Sequence, residues 1–216
     1  VVSAQYPETE REIISLQPGW AEQSPERWWN DVKAAIKKAH HTGKYNKNDI
    51  GAIGISYQMH GLVLLDQEGH VVRNSIIWCD SRAVPYGNRA FEAIGAEGCL
   101  QHLLNSPGNF TAAKLAWVKE NEPDIFERID KVMLPGDFIA QRLTGHITTT
   151  PSALSEGIFW DFSRNTLSEA VMQYFGFDNH IIPEIKAVFE DHGRLCRAVA
   201  DELSLKEGIP VCYKAG

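Results

Sequence analysis

The sequence is poor in sulfur. Four cysteines, at positions 79, 99, 196 and 212, serve 216 residues. No pair stands at C-x2-C spacing, which excludes a zinc ribbon or a dithiol redox motif. So few thiols read as a reduced, cytoplasmic setting. Long apolar runs are also missing: the longest are a few residues, as in Gly61-Leu-Val-Leu-Leu65, which excludes a membrane-spanning helix. No basic stretch leads into an apolar segment at the start, so no signal peptide is read. Positive charge is in deficit, with 21 Lys+Arg against 28 Asp+Glu and a net charge of −7. Such a chain is a poor match for nucleic acid or an anionic membrane. There is no G-x-x-x-x-G-K-[ST] loop and no G-x-G-x-x-G, hence no Walker or Rossmann phosphate cradle. There is no G-x-S-x-G elbow, and none of the eight histidines pairs as H-x-x-x-H.

What is present is the composition of a folded domain: 44% apolar and 23% charged residues. Residues 1–16 read as extended and end at a Pro18-Gly19 turn. Ser24-Pro25-Glu26 is a helix start, with a hydroxyl cap, proline at the first position and an acid in the first turn. Trp28, Val32, Ile36 and Ala39 then recur at helical spacing, and Gly43 stops the helix. Buried strands are expected over 50–56 and 75–78, and a hairpin over 62–72. Helices follow over 84–104, 111–121 and 124–129. A strand at 131–134 then precedes a helix at 137–143. Residues 147–150 read as β, 168–174 and 198–203 as helices, and 210–213 as a strand. Strands alternating with helices predict a mixed α/β domain, with no internal repeat or linker. The chain opens at Val1-Val2-Ser3 and closes on an apolar strand and Gly216. Both ends predict a piece of something longer.

Polar clusters stand at the ends of two buried strands. Strand 50–56 runs into Tyr57-Gln-Met-His-Gly61, and strand 75–78 into Cys79-Asp-Ser-Arg82. Ligands gather at the carboxyl ends of strands in open α/β sheets, so the clusters are candidate walls of one pocket. Trp78 could face the carbons of a sugar, and His60 and Asp80 could hydrogen-bond its hydroxyls. The glycine after His60 would let the backbone approach closely. The plainer alternative is that His60 is structural, Trp78 is core, and Asp80 and Arg82 cap turns or pair with each other.

These boxes resemble the FGGY family of carbohydrate kinases, most closely its xylulokinases. Gln17-Pro-Gly-Trp-Ala-Glu-Gln23 with Pro25-Glu-x-Trp-Trp29 looks like the family's entry to its first helix. Ile53-Gly-Ile-Ser-Tyr-Gln-Met-His-Gly61 matches the Gln-Met-His-Gly box, and Ile76-Ile-Trp-Cys-Asp-Ser-Arg82 the Trp-x-Asp-x-Arg box. Phe110-Thr-Ala-Ala-Lys-Leu-Ala-Trp117, Leu134-Pro-Gly-Asp-Phe138 and Leu143-Thr-Gly145 match the segment beyond. Tyr57 departs from the pattern, since many xylulokinases carry Gly there.

The resemblance implies an actin/RNase H-like fold, with this chain forming most of the N-terminal, sugar-binding domain. A first hairpin bearing an Asp-x-Gly-Thr loop and a whole C-terminal domain would be absent from the chain. It implies transfer of the ATP γ-phosphoryl group, with Mg2+, to a sugar hydroxyl, most closely that of D-xylulose. Another ketopentose or gluconate is the alternative acceptor, and a non-catalytic actin-like binding module the alternative role. Met59 and His60 match the family's sugar-contacting pair, where glycerol kinases carry Arg-Glu. Trp78 matches the aromatic wall, Asp80 a further contact and Arg82 its support. The catalytic aspartate would come immediately after Gly216, so none lies in this chain. The expected partners are a small sugar and ATP, without nucleic acid or membrane, and a homodimer is admitted.

Overall fold

The computed structural model describes residues 2–6 and 12–215. The extended segment expected over 1–16 therefore lies partly outside the described residues, as does Gly216. Its described end is β-like: Ile14 and Glu22 exchange backbone hydrogen bonds of 2.9 Å in both directions.

The first half of the chain runs β1 (Glu22–Gln23), α1 (Pro25–His41), β2 (Ile53–Ser56), β3 (Val63–Leu65), β4 (Ser75–Ile76), α2 (Val84–Ile94) and α3 (Ala96–Gly98), then a π-helical turn at Cys99–Leu103. The second half runs α4 (Thr111–Asn121), α5 (Pro123–Phe126), β5 (Lys131–Met133), α6 (Pro135–Thr144), β6 (Thr148–Thr149), α7 (Pro151–Glu156), β7 (Trp160–Asp161), β8 (Thr166–Leu167), α8 (Glu169–Phe175), β9 (Glu184–Ile185), α9 (Arg197–Leu203) and β10 (Val211–Ala215). Helix α1 begins as its sequence dictates: Ser24 accepts the Arg27 N–H, and Pro25 needs no partner for the hydrogen it lacks. Helix α7 and the β7–β8 hairpin are additional to the sequence expectations.

Strand order and burial explain the two-sided core. β4 pairs antiparallel with β1, and β3 antiparallel with β5. A bridge between Leu62 and Ile76 joins these pairs. The expected hairpin closes through Leu65 and Val71, with the Val72 N–H on the Leu64 carbonyl at 3.0 Å. Parallel pairing sets β10 beside β2, with a register shift between Val211 and Tyr213. Successive strand residues point to opposite faces. Leu62, Leu64 and Ile76 thus enter one apolar cluster, with Trp117, Val118 and Phe159. Val63, Leu65 and Ile77 enter the other, with Trp28, Trp29 and Phe138. A run of consecutive apolar residues is what a strand covered on both faces requires. Among the described residues no helix is long and apolar enough to cross a membrane.

Candidate functional site

β2 hands the chain to Tyr57-Gln58-Met59-His60-Gly61, and β4 hands it to Ile77-Trp78-Cys79-Asp80. The Leu62 N–H donates to the Ile76 carbonyl at 3.0 Å, so the two segments run antiparallel side by side. Ile77 points into the core at 2% exposure, and a turn begins at the next residue. Trp78 is 59% exposed and Met59 50%.

His60 is held from three sides. Its backbone is left-handed, φ +60°, a conformation that costs a non-glycine residue energy and calls for support. The Phe110 ring meets the imidazole edge-on at 4.4 Å. Nδ1 lies 3.0 Å from the Glu156 carbonyl oxygen, which can only accept, so Nδ1 carries the proton. In the neutral ring Nε2 is then left as an acceptor. Burial lowers the His60 pKa below its ordinary value, the Glu156 carbonyl opposes this, and the Lys114 charge adds to it. The ring is therefore neutral near pH 7. Gly61 meets the first turn of α6 so closely that a Cβ would lie 2.5 Å from Pro135 Cγ.

Asp80 is enclosed by the chain. It is 0% exposed. Its carboxylate accepts from the Ala21 N–H at 2.5 Å, the Arg82 N–H at 2.8 Å and the Arg82 guanidinium at 2.7–3.1 Å. Of the two sequence expectations for Asp80, a sugar hydroxyl and pairing with Arg82, the structure displays the pairing with Arg82. Arg82 stacks on Trp20 at 3.8 Å and Trp117 at 4.8 Å. Its Nη1 also meets Glu22 at 2.7 Å. Arg73 bonds the same Glu22 oxygen and reaches Glu122 at 2.9 Å. This buried ion network is the platform from which Trp78 projects.

Two groups here, Lys114 and Glu156, were not singled out from sequence, and Tyr57 was noted there only as a departure from the family pattern. Lys114 of α4 is 0% exposed, and its Nζ donates to the His60 carbonyl at 2.7 Å and the Ile77 carbonyl at 3.0 Å. Burial pulls its pKa down to about 8, against the nearby Asp80 charge. The Glu156 carboxyl has a buried Oε1 with no hydrogen-bond partner among the described residues. Burial, then the Asp137 charge, pushes its pKa up to about 8. Tyr57 lays its ring where a Gly136 Cβ would be, 2.0 Å from Tyr57 Cδ1, and burial raises its hydroxyl pKa. The available signal was a lysine inside an otherwise apolar helix, Ala112-Ala-Lys-Leu-Ala-Trp117.

A Ser/His/Asp grouping elsewhere is not a triad. Ser163 Oγ at 2.7 Å and the Asp161 carboxylate at 3.0 and 3.2 Å all converge on Nδ1 of His102. A triad needs the serine on one ring nitrogen and the acid on the other. Here Asp161 also accepts the Ser163 and Arg164 N–H groups at 2.9 and 3.0 Å, which closes the β7–β8 turn. No three His, Cys, Asp or Glu side chains come together as a metal site among the described residues.

The comparisons with known proteins show the family. The family model described as the N-terminal domain of the FGGY family of carbohydrate kinases matches residues 1–216. The chain belongs to that family. It is 34% identical over 217 residues to a xylulose kinase of Escherichia coli (strain K12), covering 100% of this chain and 43% of that one. A xylulose kinase of Staphylococcus xylosus is also 34% identical, over 199 residues, covering 92% of this chain and 41% of the relative. Among solved structures, a xyloylose kinase from Brucella ovis superposes with a TM-score of 0.87 at 33% identity, covering 96% of this chain and 42% of that chain. A xylulose kinase from Rhodospirillum rubrum gives 0.87 at 26%, covering 94% and 42%. The FGGY chain thus spans about two fifths of the length of these relatives. The fold is the mixed α/β, actin/RNase H-like fold of these sugar kinases.

Proposed function

We propose that this chain binds the sugar for an ATP-dependent carbohydrate kinase whose acceptor is D-xylulose and whose product is D-xylulose 5-phosphate. The observation that carries the reading is His60. It is a neutral imidazole with Nδ1 committed to the Glu156 carbonyl and Nε2 left to accept, and Lys114 ties its backbone to Ile77, the residue before exposed Trp78. The whole-chain likeness to xylulose kinases supports the choice of sugar. His60 Nε2 accepts a sugar hydroxyl. Trp78 covers the sugar carbons, and Met59 supplies an adaptable apolar contact. Asp80 holds Trp78 in place without touching the sugar, and Arg82 is its counter-ion.

Phosphoryl transfer needs in-line positioning, a metal on the phosphates and a group that takes the hydroxyl proton. On this reading the present chain supplies the positioning of the acceptor. The proton is taken by an aspartate immediately after Gly216, and ATP and Mg2+ are held by further parts of the protein. The four cysteines are unpaired, which supports a reducing, cytoplasmic location.

His60→Ala in the full-length protein tests the assignment. Loss of a hydroxyl contact is expected to lower sugar kcat/KM by about 1–3 kcal/mol in transition-state binding, with the KM for ATP unchanged. Wild-type sugar kinetics in a folded variant would return His60 to a structural role. A screen of ketopentoses and gluconate in the same assay decides the acceptor.

A further inference from the structure

We infer that Lys114 is a positioning residue of the sugar site: its ammonium ties the His60 segment to the Trp78 segment and so sets how these two side chains face the acceptor. The inference rests on the sugar-site reading above and adds a residue to it. Two described acceptors of Lys114 Nζ are main-chain carbonyls, that of His60 itself and that of Ile77, the residue before Trp78. One cation thus spans the two segments that carry the candidate contacts. The His60 end of this tie is a left-handed residue, a conformation that persists where surrounding bonds over-determine it. Helix α4 is buried from Thr111 to Val118, so packing there would be met by leucine or methionine. Burying an ammonium is costly, and hydrogen bonds that hold one loop arrangement against others are what such a group returns. The groups acting on it are Asp80, Cys79, Arg82 and Glu156, of which Asp80 and Arg82 are fixed in the platform by their mutual pairing. Lys114 touches no sugar atom on this model of the site; it acts through His60 and Trp78.

The test compares Lys114→Met with His60→Ala in the full-length protein. Methionine fills similar volume without donors. The expected result is a tenfold or larger fall in sugar kcat/KM, with ATP KM within twofold. The His60 ring signals in a 1H–15N spectrum should also be displaced, although the lysine does not contact the ring nitrogens. A folded Lys114→Met protein with sugar kcat/KM within twofold of wild type overturns the inference. So does a loss shared equally by sugar and ATP, which marks a merely structural lysine. Should Lys114→Met not fold, Lys114→Gln is read against the same thresholds, since its amide sits on an arm one bond shorter and loses the charge. If His60→Ala is also silent, the sugar site itself has been misassigned. If His60→Ala falls and the lysine variants do not, only the role of Lys114 is lost.

Discussion

Residue by residue, the site is a set of groups whose state is dictated by what covers them. Glu156 is the sharpest case. Its carbonyl orients His60 while its own carboxyl, buried and near Asp137, has a pKa raised to about 8. A carboxyl raised in the folded state binds a proton that the unfolded chain releases near pH 4.5, so its stabilising contribution is present below that value and is lost as pH rises through about 8. Glu156→Gln keeps the neutral shape at every pH. The variant is expected to gain about 1–3 kcal/mol relative to wild type between pH 5.5 and pH 8.5, read from urea midpoints at the two values. An equal offset at both would mean the carboxyl does not titrate in this window. His60 and Trp78 were legible in the sequence because each follows a strand whose apolar residues are themselves legible. Lys114 and Glu156 were not, because a polar residue's burial depends on segments far along the chain: His60 lies 96 positions from Glu156 and 54 from Lys114.

Between elements, the segment after β2 and the first turn of α6 interlock. Gly61 takes the Pro135 ring, and Gly136 takes the Tyr57 ring. Tyr57 is the residue at which this chain departs from the Gly-Gln-Met-His-Gly pattern, and a glycine at 136 is what makes room for its ring. Gly136→Ala would set a methyl group inside that ring. Because the ring is wedged between α6 and β2, overpacking should cost about 1–3 kcal/mol, seen as a lower Tm. A Tm equal to wild type would mean the ring moves freely aside. A Tyr57→Gly change made together with Gly136→Ala should recover most of the packing part of the loss. Helix α1 was legible down to its cap because every signal in it is local. Helix α7 carries the same local signals, Thr150 accepting the Ala153 N–H and Pro151 at the first position. It went unread because its six residues are too few for a periodic apolar stripe.

Taken as a whole molecule, the chain brings the segments after β2 and β4 together through the Leu62–Ile76 bridge and the Lys114 ammonium. It supplies neither a phosphate cradle motif nor a cluster of metal ligands among the described residues. The 216-residue chain by itself is therefore expected to show no sugar-dependent ADP release above background in a coupled assay, while full-length protein does. Turnover by the isolated chain would mean that the acceptor site and the phosphate site share these residues.

The sequence by itself determined the α/β alternation, the caps and breaks of the longer helices, and the two polar segments after β2 and β4. These depend on neighbours within a few residues, and periodicity records them. The tertiary structure alone decided which charges are buried and whom they meet. It put Asp80 under Arg82, Lys114 between two loops, and Lys214 on Asp137 at 2.8 Å, 77 positions away. A charge can leave water only where partners from distant segments replace the lost hydration. Only the folded chain brings those partners together.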